Sequence, residues 1–343
     1  MELINLIEVI APEAVNILET RYLILRTIFY NQPIGRRSLS DILGLKERAV
    51  RDQVDFLRNL GLLKIDLMGM YITDVGLQTL ENLHPVYNHI KGIPKLEAKL
   101  KEILNIREVN ILAGNSKDSG MVLRDMGKIS SKIIKNIIRD GDIVGITGGT
   151  TMATVAEEIV PDKIKREVIF IPARGGLGRS LETQANSIVA TFAKKLGGTY
   201  RLLFVPDSLE KEALEYILKN EDMKESLNLI DSMNLLIFGI GRADTMAKRR
   251  NLPKEKVDEL ISKGAVAEAF GHYFDINGNE IWEYRTVGLS LNKFKLLEKV
   301  IAVAGGEEKA EAIISIAKLN KNMVLITDEA AARKIIEIVE NAT

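Results

Sequence analysis

Residues 142–159, DIVGITGGTTMATVAEEI, decide the fold of the larger part of this chain. The apolar run over 142–147 predicts a buried strand, the glycines and threonines after it predict a tight loop, and the spacing over 152–159 predicts a helix. Glycines let a backbone approach a ligand closely, and the first N–H groups of a helix have no partners within it. The pattern therefore predicts a binding site for a phosphate or carboxylate. Its residues are Gly148, Gly149, Thr150 and Thr151.

The same loop limits the kind of anion. It contains no lysine, so it lacks the Walker pattern of nucleoside triphosphate sites. The G-x-G-x-x-G fingerprint of dinucleotide sites is missing as well. Many glycine-rich turns between a strand and a helix bind nothing, so a purely structural turn stays open as an alternative.

The composition excludes several functional classes. The chain has 343 residues, enough for two or three domains. Its 47 lysines and arginines balance 47 aspartates and glutamates, so no overall charge attracts it to nucleic acid or to an anionic membrane. Without cysteine it has no disulfide framework and no cysteine-ligated zinc, and its three histidines predict no metal site. Neither a signal-peptide pattern nor a membrane-length apolar run occurs, which predicts a cytoplasmic protein.

Residues 1–92 have the pattern of a winged helix-turn-helix DNA-binding domain. In such a domain the second helix of the pair enters the major groove of DNA. The hairpin that follows it forms a small wing. The predicted elements are an apolar helix ending at 31–33, helices over 38–43, 46–60 and 73–84, and strands over 62–66 and 71–73.

A local excess of positive charge marks the surface that would contact double-stranded operator DNA. Residues 34–51 contain five basic and two acidic side chains in a chain of zero net charge. The candidate DNA contacts are Arg36, Arg37 and Lys46 to phosphates, and Arg48 and Arg51 to guanine edges. The alternative is a winged helix that contacts only protein, with these side chains solvated. Lys46 also stands where a Ser or Thr helix cap is usual.

Strand and helix patterns alternate in the second predicted domain, 93–343, which opens with an amphipathic linker helix within 93–106. Most candidate strands are continuous apolar runs, as in parallel sheets covered on both faces. This predicts an α/β fold with a Rossmann-like doubly wound sheet, and 271–287 as an antiparallel excursion. The candidate strands are 109–113, 142–147, 168–172, 201–206, 235–240, 265–269, 280–286, 300–304 and 323–327.

Ligands of such sheets bind outside the carboxyl ends of the strands, so polar residues there form the candidate site. Besides the glycine loop, an arginine, Arg174, follows one strand, Arg249 follows another, and Lys309 follows a second glycine pair. This is more positive charge than one phosphate requires. Gln184 and Glu268 suit sugar hydroxyls, so a sugar carrying one or two phosphates is the expected ligand. Each arginine or lysine could instead be simply solvated.

The order of these motifs resembles the sorbitol-operon type of bacterial transcriptional regulator. The motifs are IPARGGLGRSLETQANSIVATFAKKLGG from 171, GIGRADT from 239 and AVAEAFGHYFDINGNEI from 265. In that family a sugar-phosphate-binding domain, similar in fold to glucosamine-6-phosphate deaminase and ribose-5-phosphate isomerase, follows a DNA-binding domain. IGRRSLSDILGLKERAVRDQVDFLRNLGLL, from 34, and the arginine of IPARGG are similar to members from Gram-positive bacteria that control lower glycolysis.

The resemblance implies a transcriptional repressor, without a cofactor, whose effector is fructose-1,6-bisphosphate and whose target is a glycolytic operon. One phosphate would lie on Gly149, Thr150 and Thr151 with Lys309. The other phosphate would be held by Arg174 and Arg249, with Gln184 and Glu268 on the sugar. The resemblance also implies a homo-oligomer, from dimer to tetramer, in which the helix over 94–105 takes part.

Two other functions stay open at this point. The α/β domain could be an active sugar-phosphate isomerase or deaminase, which would need a general base and acid in the pocket. Glu268, Asp244 and His272 are the candidates near strand ends, although no clear carboxylate and histidine pair is present. Alternatively, the chain could bind DNA constitutively, with an empty second domain.

Overall fold

The computed structural model of the protein describes residues 2–162, 164–177, 180–207, 211–217 and 219–342. Gly178 and Arg179 of the motif at 171–198 lie outside these ranges. The chain separates into two compact units, Met1–Lys95 and Leu96–Thr343. Among the described helices, none combines the length and the apolar character that a membrane span requires.

The first unit consists of helices and one antiparallel hairpin. The short strands of the hairpin pair with Lys64 opposite Tyr71. The elements are α1 (Glu2–Ile10), α2 (Pro12–Asn31), α3 (Arg36–Leu43), α4 (Glu47–Asn59), β1 (Leu63–Ile65), β2 (Met70–Ile72) and α5 (Asp74–Ile90). The helices and hairpin that the sequence predicts before residue 73 are therefore confirmed, with small differences at their ends.

The apolar stripe of α4 forms part of the core of this unit. Val50, Val54 and Leu57 recur at helical spacing and are 0–2% exposed. They pack towards α2 and α3, and Leu39 of α3 is fully buried beside them. The opposite face of α4 is left to solvent and carries the basic residues.

The predicted end of α5 near His84 is wrong, because the helix continues through Pro85 to Ile90. A proline inside a helix removes a hydrogen bond and costs roughly 3 kcal/mol. Packing against α2 offsets this cost. The ring of Tyr87 stacks on that of Tyr22 with centroids 4.2 Å apart, and the Tyr22 hydroxyl lies 2.7 Å from His84 Nδ1.

The second unit is an α/β fold. Its helices are α6 (Ile93–Leu104), which begins just before the division, α7 (Gly120–Ile137), α8 (Thr150–Glu158), α9 (Ala185–Leu196), α10 (Lys211–Ile217), α11 (Glu221–Ser232), α12 (Ala243–Arg249), α13 (Lys254–Ser262), α14 (Leu291–Leu296), α15 (Ala310–Ala317) and α16 (Glu329–Asn341). Its strands are β3 (Glu108–Leu112), β4 (Ile143–Ile146), β5 (Ile169–Pro172), β6 (Thr199–Tyr200), β7 (Leu235–Gly239), β8 (Gly241–Arg242), β9 (Ala267–Ala269), β10 (His272–Phe274), β11 (Glu280–Glu283), β12 (Lys299–Val303) and β13 (Met323–Asp328).

Seven parallel strands form the main sheet in the order β3-β13-β12-β7-β4-β5-β6. From β4 the chain adds strands on one side, and from β7 it adds them on the other, so the order reverses between these two neighbours. Ligands of open α/β sheets bind at such a reversal point. The apolar strand residues are buried between helices on both faces, as the continuous apolar runs predict.

Two predicted strands of the main sheet take other positions. Residues 201–206 leave the sheet after β6, because the Asn186 side chain bonds both backbone groups of Leu203, at 3.0 and 3.1 Å. Strand β9, within the predicted 265–269, pairs with β8 and β10 in a separate antiparallel sheet, β11-β10-β9-β8. The predicted antiparallel excursion over 271–287 is confirmed by β10 and β11.

Candidate functional site

A cavity of about 310 Å³ lies at the carboxyl ends of β12, β7, β4 and β5, which are neighbours in the main sheet. It therefore occupies the reversal point of the strand order. Its lining combines the glycine loop after β4 with charged side chains from several elements. The charged lining residues are Arg174, Arg242, Arg249, Lys309, Glu268 and Glu308. Cationic groups outnumber carboxylates, which favours an anionic ligand.

The glycine loop has the geometry of an anion cradle. Gly148 packs so closely that a Cβ atom there would lie 2.7 Å from the Thr183 carbonyl oxygen. Gly149 has a φ of +121° and donates its N–H to the same oxygen at 2.9 Å. The first intrahelical bond of α8 comes from Ala153, so the three preceding amides have no partner within the helix. Together with the hydroxyls of Thr150 and Thr151, these amides can bind one phosphate.

The second glycine pair, Gly305-Gly306, is already occupied by a carboxylate of the chain itself. Asp328 Oδ2 accepts hydrogen bonds from the Gly306 N–H at 2.7 Å and from the Ser116 N–H at 2.8 Å. A Cβ atom on Gly305 would lie 2.5 Å from the same oxygen. This pair therefore shapes the turn instead of adding a second amide site.

Lys309 follows that turn and lines the cavity. Burial lowers the pKa of its ammonium group, and the nearby carboxylates of Glu308 and Asp328 oppose part of this effect. Within the described parts of the chain, its Nζ atom makes no hydrogen bond or ion pair. Lys309 is thus a cation available to a ligand, as the sequence predicts.

Arg174 is buried, with 9% exposure, so the alternative of a simply solvated side chain is wrong for it. Its Nε donates to Asp207 Oδ1 at 2.7 Å and its Nη1 to Glu268 Oε1 at 3.2 Å. Arg250 completes this network, with Nε 3.1 Å from Asp207 Oδ2 and Nη2 2.8 Å from Glu268 Oε1. We call Arg174, Asp207, Arg250 and Glu268 the buried ion network. Two positive and two negative charges balance within it.

The network fixes the charge state of Glu268. Burial opposes its ionisation, but the charges of Arg250 and Arg174 and the Gly271 N–H hold the pKa of Glu268 below its usual value. The side chain therefore stays a carboxylate at the wall of the cavity. As an acceptor it suits a sugar hydroxyl, and this role stays a prediction.

Adjacent arginines at the end of α12 have different positions. Arg249 lines the cavity, whereas the side chain of Arg250 is 1% exposed and belongs to the buried ion network. The prediction of Arg249 as the ligand-facing member agrees with this placement.

Gln184 does not line the cavity. Its Nε2 atom donates to the Leu177 carbonyl at 3.3 Å, so the side chain supports the 174–177 loop. The preceding residue, Thr183, lines the cavity in its place. Gln184 is the N-cap of α9, but its side chain makes no capping hydrogen bond.

Sequence reasoning missed several residues of the site. Asp207 directly follows the predicted strand 201–206, so the rule of strand carboxyl ends could have found it. Glu308 is the neighbour of a predicted residue. Arg242 lines the cavity and is paired with Asp244 at 2.8 Å. Asp244 and His272 are not among the lining residues, so the cavity does not unite the candidate acid and base groups.

The basic surface of the first unit lies on α3 and α4. The side chains of Arg37, Lys46, Arg48 and Arg51 are exposed, which places them within reach of a large partner. Lys46 is the N-cap of α4 and makes no capping hydrogen bond, because its ammonium group has no acceptor for a backbone N–H.

Two of the predicted DNA contacts, Arg36 and Arg51, form ion pairs with carboxylates of the same unit. Arg36 is half-buried and lies 3.2 Å from Asp55. Arg51 lies 3.4 Å from Glu47, with both side chains more than half exposed. An exposed pair of this kind contributes less than about 1 kcal/mol, so a nucleic-acid phosphate or base could readily replace either carboxylate.

Comparisons with known proteins agree with this division. The model of the CggR N-terminal DNA binding domain matches residues 17–87, and the model of a sugar-binding domain matches residues 88–337. The central glycolytic genes regulator of Bacillus subtilis is 42% identical over 335 residues, which cover 98% of this chain and 98% of that protein. The regulator of the same name from Priestia megaterium is 41% identical, covering 97% and 98%.

Solved structures show the same fold. A protein of Enterococcus faecalis assigned to the SorC family of transcriptional regulators matches with a TM-score of 0.66 at 38% identity, covering 71% of this chain and 99% of that one. The full-length sorbitol operon regulator of Klebsiella pneumoniae matches with a TM-score of 0.66 at 18% identity, covering 92% and 98%. These proteins are regulators, so the alternative of a sugar-phosphate isomerase or deaminase is wrong.

Proposed function

This chain belongs to the central glycolytic genes regulator family, and we propose that it represses a glycolytic operon under the control of fructose-1,6-bisphosphate. As a family member it is a DNA-binding transcriptional regulator with a sugar-binding domain. The repressor activity, the identity of the sugar and the roles of single residues are parts of the proposal.

The DNA-binding part of the proposal rests on α3, α4 and the β1-β2 hairpin. We assign these elements as the helix-turn-helix pair and the wing of a winged helix. The exposed side chains of Arg48 and Arg51 on α4 would read base edges in the major groove. Arg37 and Lys46, with Arg36 once it leaves Asp55, would contact phosphates and fix the register.

The ligand part rests on one observation, which is that a single cavity unites the glycine cradle, Lys309 and Arg249. The open amides of residues 150–152 and the hydroxyls of Thr150 and Thr151, with Lys309, would bind one phosphate. Arg249 would bind a second phosphate. Arg174 borders the same cavity, but it would have to leave Asp207 or Glu268 to contact a phosphate directly.

The remaining lining suits the sugar between two phosphates. Glu268 is an ionised acceptor, and Gln184 would act through the 174–177 loop that it supports. A cavity of about 310 Å³ is within the usual size range of small-molecule sites, about 300 to 1,000 Å³. The doubly wound sheet is also consistent with a likeness to sugar-phosphate deaminases and isomerases, which would make the domain a sensor built on an enzyme-like fold.

Effector control would follow from linkage. A ligand that binds one arrangement of a homo-oligomer better than another shifts the population, and the affinity for operator DNA changes by the same differential free energy. We propose that the chain forms a dimer or tetramer, with α6 in the assembly. A constitutive DNA-binding protein would show no such coupling.

The first test is a thermal melt of the full chain with fructose-1,6-bisphosphate, fructose-6-phosphate or inorganic phosphate. A ligand at about 100 times its dissociation constant adds about 2.7 kcal/mol of stability. We expect strong stabilisation by the bisphosphate alone, followed by a change in operator affinity when it is added to a DNA titration. Equal stabilisation by the monophosphate, or an unchanged operator affinity, would contradict the proposal.

A further inference from the structure

The carboxylate of Glu308 differs from that of Glu268, the other carboxylate in the wall of the cavity. Glu268 is balanced by Arg174 and Arg250, whereas Glu308 makes no ion pair within the described ranges of the chain. Its Oε2 atom is buried and accepts no hydrogen bond from the described residues. Burying an acceptor without a donor is unfavourable, so this atom is ready to accept a hydrogen bond from a ligand.

The turn at Gly306 allows this position. A Cβ atom on Gly306 would lie 2.6 and 2.7 Å from the two carboxylate oxygens of Glu308. Gly306 has a φ of +93° and is held by its hydrogen bond to Asp328. The carboxylate of Glu308 thus rests against the backbone of the turn, and the turn, not a counter-ion, places it at the cavity.

The two neighbours Glu308 and Lys309 offer opposite chemistry to a ligand. Lys309 attracts a phosphate, whereas an ionised Glu308 repels phosphate oxygens and can only accept hydrogen bonds. A hydroxyl group is the neutral donor that satisfies it. A group that joins a phosphate to a hydroxyl within a few bonds fits this pair better than a bare phosphate does.

We propose that Glu308 is a specificity-determining residue, which accepts a hydrogen bond from a hydroxyl of the phosphorylated ligand and disfavours anions that have no hydroxyl to donate. The inference rests on the function proposed above, because it assumes that this cavity binds a sugar phosphate. It adds a residue that selects a phosphorylated sugar or polyol over an anion that has no O–H group.

The test compares the full chain with Glu308→Gln and with Glu307→Gln, whose exposed side chain lies one residue earlier. Dissociation constants would be measured by calorimetry for fructose-1,6-bisphosphate, methyl phosphate and sulfate, at a pH at which methyl phosphate is a dianion without an O–H group. We expect Glu308→Gln to bind the bisphosphate about tenfold more weakly, the effect of one hydrogen bond to a charged group. We expect it to bind methyl phosphate and sulfate more tightly, because the repulsion is gone. Glu307→Gln should match the unmodified chain for all three.

A second variant, Glu308→Asp, distinguishes the effect of the negative charge from the effect of side-chain length. It keeps the negative charge and withdraws it by one methylene, so it should lose affinity for the bisphosphate while still rejecting sulfate. If Glu308→Gln leaves the ratio of bisphosphate affinity to sulfate affinity unchanged, the inference is overturned. If the unmodified chain binds no sugar phosphate, the proposed function itself fails, which is a different result.

Discussion

Arg250 Nη2 lies 2.8 Å from Glu268 Oε1, whereas Arg249, one residue earlier, lines the cavity. These two arginines therefore make a matched pair for mutation. Removing one partner of a buried ion pair costs about 3 to 5 kcal/mol, because the other charge is left buried without compensation. Arg250→Ala would leave Glu268 and Asp207 with Arg174 alone. We expect it to lower the free energy of unfolding by several kcal/mol in a urea titration.

Arg249→Ala should weaken ligand binding and leave the free energy of unfolding almost unchanged. Its side chain does not take part in the buried ion network, so unfolding should change by no more than about 0.5 kcal/mol. Binding of fructose-1,6-bisphosphate should weaken by about 1.5 to 3 kcal/mol, the contribution of a hydrogen bond to a charged group. Equal loss of stability in both variants would contradict the separation of the two arginines.

The hydroxyl of Thr151 offers a second test. Thr151→Ala removes a donor at the start of α8 and should weaken ligand binding by about 1 kcal/mol, with little effect on folding. Thr154→Ala, one turn further along α8, is the control, because within the described part of the chain Thr154 Oγ1 bonds only the Thr150 carbonyl, at 3.3 Å. Calorimetric titration of both variants would check this, and a similar loss in each would argue against a phosphate at the cradle.

Ligand binding should depend on pH through Lys309. Burial lowers the pKa of its ammonium group in the empty cavity, and a bound phosphate would raise it again. The ligand-bound form therefore holds more protons. Affinity should be complete below the lowered pKa and should be lost as the pH rises through the raised pKa. Titrations in two buffers of different ionisation enthalpy would detect the proton uptake.

Lys309→Arg is the control for this pH dependence. Arginine stays protonated throughout the same range, so proton uptake should disappear even if some affinity remains. Unchanged proton uptake in Lys309→Arg would assign the titration to another group, such as the ligand phosphate itself.

Operator binding should depend on single arginines of α4. Arg51→Ala or Arg48→Ala should weaken binding by about 1 to 3 kcal/mol if either residue contacts a base edge, and should relax sequence preference at one position. Lys46→Ala should instead weaken binding evenly across sequences and reduce the salt dependence by about one counterion. Arg58, near the end of α4 and paired with Asp55 at 3.5 Å, serves as the control site. An even loss for Arg51→Ala would place it on the DNA backbone.

Local patterns account for the features of the fold and the site that the sequence predicts. The glycine cradle, the helices of the first unit and most strands depend on residues that are close in the chain, so spacing and turn chemistry reveal them. Arg249 and Lys309 were found because polar residues at strand ends meet at one edge of a parallel sheet.

The features that were missed depend on contacts between distant residues. Arg174 binds Asp207 and Glu268, which are 33 and 94 residues away, and only the folded sheet brings them together. The departure of residues 201–206 from the sheet depends on Asn186, and the continuation of α5 through Pro85 depends on Tyr22. Neither effect leaves a local signal. The same holds for Gly306, whose amide is bonded to Asp328, 22 residues later.

The hydrogen bond between Gly306 and Asp328 makes the two ends of the cavity chemically different. Because the chain's own carboxylate occupies that turn, the Gly306 amide is not open to a ligand, whereas the turn after β4 presents open amides. A molecule with two phosphates would therefore meet unlike receptors: fixed backbone dipoles with a titratable amine for one phosphate, and a permanently charged guanidinium for the other. The two orientations of such a molecule would differ in energy, and positional isomers of a sugar monophosphate would not be interchangeable.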